Sequence, residues 1–376
     1  MSLRVDAVEG RSGTRRFIDV PWRLQNEQWE KWVPPLRLVV ADALDDRRNP
    51  FYREAARQLF VAERDGRVVG RVAAIENRAH NRHHDDRTGF FGFFEVEDEP
   101  ETAAALLAAA EAWLTERGLA SARGPISPSM NHESGLLDGF DTPPMVMTPW
   151  NPSYYGALVE GSGYEKAKDL LGYYIPGRTE TMAVPDRVRR LAERTLKRTG
   201  VTFRELDVAI LKREARKVLD LYCDAWADNW GFVPPSWDEF WHTAKDLKTV
   251  LVPDFSFVAE VDGEIVGFML IARDINRLLA ENPSGRLWPG TVFKLLTRLG
   301  KVEQGRIVLL GMRAEYRNRG LFPLFAFEAA RRGHEMGFDG AEASWILEDN
   351  EQLTAPLAAM NIEPYKTWRV YEKALI

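Results

Sequence analysis

The chain has 376 residues, 45% hydrophobic and 28% charged, a balance that suits two packed domains and excludes a disordered or fibrous protein. Its formal net charge of -6 gives no general attraction for nucleic acid, so DNA is not an expected partner. The single cysteine, Cys223, excludes an intrachain disulfide framework; with no apolar signal core near the N-terminus and no run of membrane-spanning length, the cytoplasm is the expected location.

In chain order, residues 16–20 read as a strand, Trp22, Trp29 and Trp32 follow, and residues 49–58 read as a helix. Two apolar runs around Asp65-Gly66 then predict a β-hairpin over 60–74. His80, Asn81, His83, His84, Asp85 and Asp86 crowd the next segment; no second cluster completes a ligand set, so it reads as a polar loop and no metal is expected. Residues 95–101 carry Glu95, Glu97, Asp98, Glu99 and Glu101, and an alanine-rich helix runs from there to Arg117, ending at Gly118. The polar and aromatic stretches 124–135 and 150–155 include Asn131, His132, Asn151 and Tyr154, residue types that line binding loops. With Asn229 and Trp230 further on, Asn131, His132 and Tyr154 are the candidates for a substrate cleft between the halves.

A helix is expected over 186–199, with Val188, Leu191, Ala192 and Leu196 on one face and six basic residues over the rest, which reads as a solvated face. The hairpin of 60–74 then returns around Asp262-Gly263: eight positions match at an offset of 197. The later elements repeat in the same order, so the chain reads as one α/β unit used twice, over 1–175 and 201–376, joined by a linker at 176–200. An insertion that the first half lacks holds 288–302. There Val292, Leu295, Leu296 and Leu299 fall on one helical face and Lys294, Arg298 and Lys301 on another, the pattern of a helix packed on its own domain with a solvated basic face, or of one that contacts a membrane surface or covers an apolar chain.

Residues 306–350 carry the strongest functional signal. An apolar strand over 307–312 leads into Arg317-Asn318-Arg319-Gly320-Leu321-Phe322, a helix to Gly337 and a second strand over 341–347 that ends at Asn350. Such a loop aims backbone N–H groups and the helix dipole at a phosphate. It resembles the R-x-x-G-x-G/A loop of the GNAT superfamily of acyl-CoA-dependent acyltransferases. Arg317 and Gly320 match, and Phe322 stands where the family prefers Gly or Ala.

The resemblance implies two fused GNAT-like α/β domains, each a mixed, mostly antiparallel sheet flanked by helices. It implies acetyl-CoA or a longer acyl-CoA held by Leu310, Gly311, Met312, Arg317, Asn318, Arg319, Gly320, Leu321, Phe322 and Asn350. The first half has carboxylates where the second has the arginine loop, so it is expected to lack the cofactor site. The implied reaction is direct attack of an amine, from a small molecule or a lipid, on the thioester. The tyrosine that the family places seven residues after the Asn is here Leu357, which leaves Glu342, Glu348 and Tyr365 as candidate proton carriers. An acyl-CoA sensor without turnover and an aminoacyl-tRNA-dependent ligase, the latter from the basic helix over 186–199, are the alternatives.

Overall fold

A computed structural model describes residues 2–26, 29–177, 186–206, 211–317 and 321–375, apart from the side chains of 188, 211 and 246. They form two compact units: Met1–Leu170 with Leu278–Lys294 and Lys366–Ile376, and Leu171–Arg277 with Leu295–Tyr365.

The first unit pairs β1 (Leu3–Val8), β2 (Ala55–Arg64), β3 (Arg67–Asn77) and β4 (Thr88–Val96) antiparallel in that order. β5 (Ser121–Gly124) then runs parallel to β4. The β2–β3 turn puts Asp65 at φ 50° and Gly66 at φ 81°, the left-handed pair of a two-residue hairpin that the Asp-Gly signal predicts. Helix Pro100–Glu116 makes the crossover from β4 to β5. Pro100 is preset for the first turn, Glu101 complements the dipole, and Gly118 at φ 76° ends the run. Its buried residues Ala103, Leu106, Leu107, Ala110 and Leu114 pack on Val72, Ala74, Phe91 and Phe94 of the sheet. Short strands β6 (Ile126–Ser127), β7 (Glu133–Ser134) and β8 (Leu136–Asp138) follow. The chain's last segment returns to this unit: β15 (Pro364–Ala374) pairs antiparallel with β5 and β8.

The second unit repeats the plan. β10 (Thr202–Glu205), β11 (Phe257–Val261), β12 (Glu264–Arg273) and β13 (Gln304–Met312) pair antiparallel, and β14 (Gly340–Leu347) runs parallel to β13. The β11–β12 turn repeats the first hairpin, with Asp262 at φ 51° and Gly263 at φ 81°. Helix Leu321–Glu335 makes the crossover; its Leu321, Leu324 and Phe325 bury against Phe257, Val266, Met269 and Ile271. Leu206, Val218, Leu221 and Tyr222 meet Val258, Ile265, Phe268 and Leu270 in a separate core. β9 (Glu165–Pro176) spans the division, with Leu171–Pro176 in this unit, where the Gly177 N–H donates to the Asp339 carbonyl at 2.6 Å.

Several local expectations change. Residues 16–20 are not a strand: they lie in the helices Gly10–Ile18 and Val20–Leu24, and Phe17, Ile18 and Val20 are buried apolar residues that a short window cannot assign. Residues 49–58 are not a helix: Asn49 caps one 3-10 turn, Pro50–Arg53, before β2 begins. The histidine-rich loop is the helix Arg78–His84, capped by the Asn77 side chain and ended by Asp85 at φ 51°. In helix Asp186–Thr199, Leu191 and Leu196 are exposed while Ala192 and Thr195 are buried.

Candidate active site

β13 and β14 pair over four positions, from Gln304–Gly340 to Ile307–Ala343. Both strands then continue, β13 to Met312 and β14 to Leu347, without pairing to each other among the described residues. β13 stays attached to β12 across the gap, with Leu309, Leu310, Gly311 and Met312 opposite Leu270, Met269, Phe268 and Gly267. Val308 is an extra residue, a bulge at the point where the parallel pair parts. Side chains take up part of the splay: Arg306 donates to the Ser344 carbonyl at 3.1 Å and Arg317 to the Met312 carbonyl at 3.2 Å.

A buried polar cluster sits where the strands part. Glu342, with no exposed surface, and Ser344 share a face of β14 by the two-residue period. The Ser344 hydroxyl donates to Glu342 Oε1 at 2.6 Å, and the Tyr365 hydroxyl donates to Glu342 Oε2. Arg306, opposite Glu342 in the register, donates from Nε to Ser344 Oγ at 2.9 Å and lies 3.9 Å from Glu342 Oε1. Burial first, and the Glu342 charge second, push the Tyr365 hydroxyl far above its ordinary range, so it stays protonated. Tyr365 keeps some exposed surface and Glu342 keeps none, so the tyrosine is the outward end of the pair. Arg306 was not among the candidates from sequence; an arginine directly ahead of the apolar run of β13 is the signal that marks it.

The other candidates are placed as follows. Gly311 cannot carry a side chain where it stands, because a Cβ would lie 2.7 Å from Phe268 and 2.8 Å from Trp226. Arg317 donates to the Met312 carbonyl at 3.2 Å and to the Asp224 and Ala225 carbonyls at 3.1 Å each. The last two belong to the final turn of helix Leu211–Trp226, where a cation meets unpaired carbonyls and the negative end of the dipole. Asn318, Arg319 and Gly320 lie outside the described residues. Leu321 is buried, and Phe322 packs at the edge of the same core. Asn350 is the N-cap of helix Glu351–Ala359, its carbonyl accepting from the Thr354 N–H at 3.0 Å. Leu357 is buried with Tyr173, Ile346 and Ile362. Glu348 lies beyond the end of β14 and is exposed.

The first unit closes the equivalent splay with its own chain. β4 and β5 pair only from Thr88–Ser121 to Phe90–Arg123, and β4 then bulges at Phe93, φ 49°. A Cβ on Gly92 would lie 1.9 Å from the Ile126 carbonyl oxygen, and the Phe93 N–H donates to Ser127 Oγ at 2.8 Å. Glu95 stands opposite Arg71 as Gly311 stands opposite Phe268. Burial pushes the Glu95 carboxyl up while Arg71 pulls it down, and Tyr155 donates to it at 2.8 Å.

Of the candidate cleft residues, Asn131, His132 and Tyr154 belong to the first unit, and Asn229 and Trp230 to the second. His132 Nδ1 lies 2.8 Å from Ser129 Oγ, and the Asn131 N–H donates to the same oxygen at 3.3 Å. The Tyr154 hydroxyl donates to the Val96 carbonyl at 2.9 Å. The Asn229 N–H donates to the Trp226 carbonyl at 2.8 Å, a turn that leads to Trp230. Among the described residues, no group of three or more His, Cys, Asp or Glu is arranged to hold a metal ion.

No family model matches the chain. It is 38% identical over 381 residues to the bacterial ceramide synthase of Caulobacter vibrioides (strain NA1000 / CB15N), covering 99% of this chain and 98% of that one. It is 34% identical over 368 residues to protein YghO of Escherichia coli (strain K12), covering 96% and 93%. Its fold matches a tandem GNAT protein from the clavulanic acid biosynthesis pathway, with TM-score 0.60, 14% identity and coverage of 100% and 99%. It also matches a probable N-acyltransferase from Enterococcus faecalis V583, with TM-score 0.53, 13% identity and coverage of 100% and 73%. The chain has the fold of a tandem GNAT protein and belongs to the family of the Caulobacter bacterial ceramide synthase.

Proposed function

We propose that this protein is an acyltransferase that moves a fatty acyl group from an acyl-CoA thioester to the primary amine of a long-chain lipid. The relative's name, a ceramide synthase, supports a lipid amine acceptor. The observation that carries the thioester half is the splay between β13 and β14 beyond Ile307–Ala343. The opening between the two strands suits the amide-bearing arm of coenzyme A, and the sequence 317–320 ahead of helix Leu321–Glu335 suits the pyrophosphate. The first unit, whose own Ile126 and Ser127 fill the matching splay, takes no thioester in this reading.

In the proposed step the neutral amine attacks the thioester carbonyl carbon, the C–N bond forms and the C–S bond breaks. The amine proton passes to Tyr365 Oη as the tyrosine proton passes to Glu342, which the substrate cannot reach directly. Arg306 and Ser344 fix the carboxylate in place. A backbone N–H at Gly311 or Met312 is the candidate oxyanion donor. The thiolate is a weak base and takes its proton from water, which suits Leu357 in place of a tyrosine.

The test is release of free thiol from acetyl-, octanoyl- and palmitoyl-CoA with sphingoid bases, alkylamines and polyamines as acceptors. Amide formed with palmitoyl-CoA and a sphingoid base, and little with polyamines, is expected. Each buried methylene adds roughly 0.8 kcal/mol, so KM should fall steeply with chain length. Preference for acetyl-CoA and a polyamine would overturn the lipid reading; thioester binding without turnover on any amine would favour a sensor.

A further inference from the structure

The insertion between β12 and β13 has an anchored base and an apolar outer surface. The Trp22 indole N–H donates to the Pro283 carbonyl at 2.9 Å. Arg37, stacked 3.7 Å from the Trp22 ring centroid, donates from Nε to the Ser284 carbonyl at 2.8 Å. The Arg37 N–H donates to the Gly285 carbonyl at 2.9 Å. Gly285 adopts φ 63°, and a Cβ there would lie 2.4 Å from Trp22 and 2.7 Å from the Pro35 carbonyl. Only glycine fits this joint, so the turn 283–285 is docked on residues 35–37 of the same unit. Lys294 ties the following helix, Gly290–Arg298, back to Glu281 at 3.0 Å.

Above this base large apolar side chains face solvent. Trp288 is 76% exposed, Phe293 69% and Leu296, one turn further along the helix, 82%. Leu38 and Val39, 48% and 54% exposed, follow directly on Arg37 at the joint. These five are the majority of the eight large hydrophobics exposed among the described residues. Scattered exposed apolar residues need no explanation, but a concentration on two adjoining segments does. The sequence pattern placed the apolar face on Val292, Leu295, Leu296 and Leu299; Val292, Leu295 and Leu299 are half-buried, and Phe293 and Leu296 stand out instead.

The charge around this surface selects its partner. Residues 281–303 hold Arg286, Lys294, Arg298 and Lys301 against Glu281 and Glu303, a net +2 inside a chain of net -6, with Glu281 paired to Lys294. Arg286, Arg298 and Lys301 are exposed. A protein partner for an apolar patch requires no such local reversal of charge. An anionic bilayer surface matches both features: tryptophan, phenylalanine and leucine enter the headgroup boundary, and the basic residues meet the lipid phosphates.

We propose that Trp288, Phe293 and Leu296, flanked by Arg286, Arg298 and Lys301, dock this protein on an anionic membrane surface. The helix Gly290–Arg298 lies in the interface and does not span it; no helix among the described residues is long and apolar enough to cross a membrane.

The test is flotation of the full chain with equimolar phosphatidylglycerol–phosphatidylcholine vesicles and with phosphatidylcholine vesicles alone, at low and high salt. Retention on the anionic vesicles is expected, weakened by salt. The charge variant Arg286→Glu/Lys301→Glu should lower the partition by roughly fivefold or more per residue. The apolar variant Trp288→Ser/Phe293→Ser/Leu296→Ser should lower it at least roughly tenfold. All these side chains are exposed, so both variants should keep the wild-type thermal midpoint. Wild-type protein that stays off anionic vesicles, equal retention on neutral ones, or variants that float like the wild type would each overturn the proposal. A dimer in solution that the apolar variant dissolves would assign the surface to a second copy instead. None of these readouts depends on the acyl acceptor.

Discussion

The Tyr365 hydroxyl donates to the carboxylate of Glu342, a side chain with no exposed surface. A buried carboxylate bonded to a tyrosine hydroxyl is a poor nucleophile and a serviceable proton sink. If the pair carries the amine proton, Tyr365→Phe should lower kcat by roughly 10²–10⁴-fold with little change in the KM for acyl-CoA. Glu342→Gln should do the same. Wild-type kcat in both variants would remove the pair from the mechanism. A loss of thermal stability equal in Tyr365→Phe and Glu342→Gln, with kcat per folded molecule unchanged, would make the cluster structural.

Arg317 tests what the proposed cofactor site is built on. Its guanidinium holds three carbonyls, two at the end of helix Leu211–Trp226 and one at the end of β13. Arg317→Ala should therefore cost about 1 kcal/mol of stability as well as acyl-CoA affinity, because partly exposed acceptors lose a charged donor. Arg317→Lys should recover little of either, since an ammonium cannot bridge two segments as a fork does. Calorimetric unfolding and titration with CoA measure both. A variant that loses CoA binding with an unchanged unfolding midpoint would show that the arginine turns to the ligand instead.

The tandem GNAT fold was legible because its signals are local. Asp65-Gly66 and Asp262-Gly263 spell the two hairpins, and Gly118 and Gly337 end the two crossover helices at φ 76° and 70°. The misassigned segments are short and take their structure from the core they join. Phe17, Ile18 and Val20 look the same in a strand or a helix until the sheet they cover is known. The candidate site was legible in part. Period two put Glu342 and Ser344 on one face, but nothing local joins Tyr365 to them across 23 residues of sequence. The splay itself has no residue signature, because it is a pairing that stops. The rings of Phe268 and Trp226 show why glycine stands at 311.

Leu357 occupies the position of the familiar tyrosine, and it is core. Its side chain is enclosed by Tyr173, Ile346 and Ile362, with Leu353 and Met360 at the edge. Leu357→Tyr adds volume and a hydroxyl to this cluster, which should lower stability by about 1–3 kcal/mol. Turnover should not rise, since the hydroxyl would be held among apolar neighbours. Thermal unfolding and thiol release on the same preparation give both numbers. A more active and equally stable variant would refute this account.

His80 gives the first unit a pH dependence in a window of its own. The ring is buried, edge-on to Phe90 with centroids 4.9 Å apart, and its Nε2 lies 3.4 Å from Asp86 Oδ2. Burial pushes the imidazole down to about 4, against the pull of Asp86 and with a further push from His84 and Arg123. The folded value therefore lies below the unfolded one, near 6.5. Between the two the unfolded chain binds more protons, so the contribution is complete above about pH 6.5 and is lost as the pH falls toward 4. Its full size is roughly 1–3 kcal/mol. Carboxylates respond lower down: against the upward push of burial, Arg369 holds Asp169 low, and Arg331 and Arg332 hold Glu328 low. Comparing the unfolding midpoint of wild type and His80→Gln between pH 7 and 4.5 isolates the histidine. The wild type should lose stability across that range, and His80→Gln, destabilised at pH 7, should lose less. Parallel curves for the two proteins would mean that His80 titrates no differently in the folded state than in the unfolded chain.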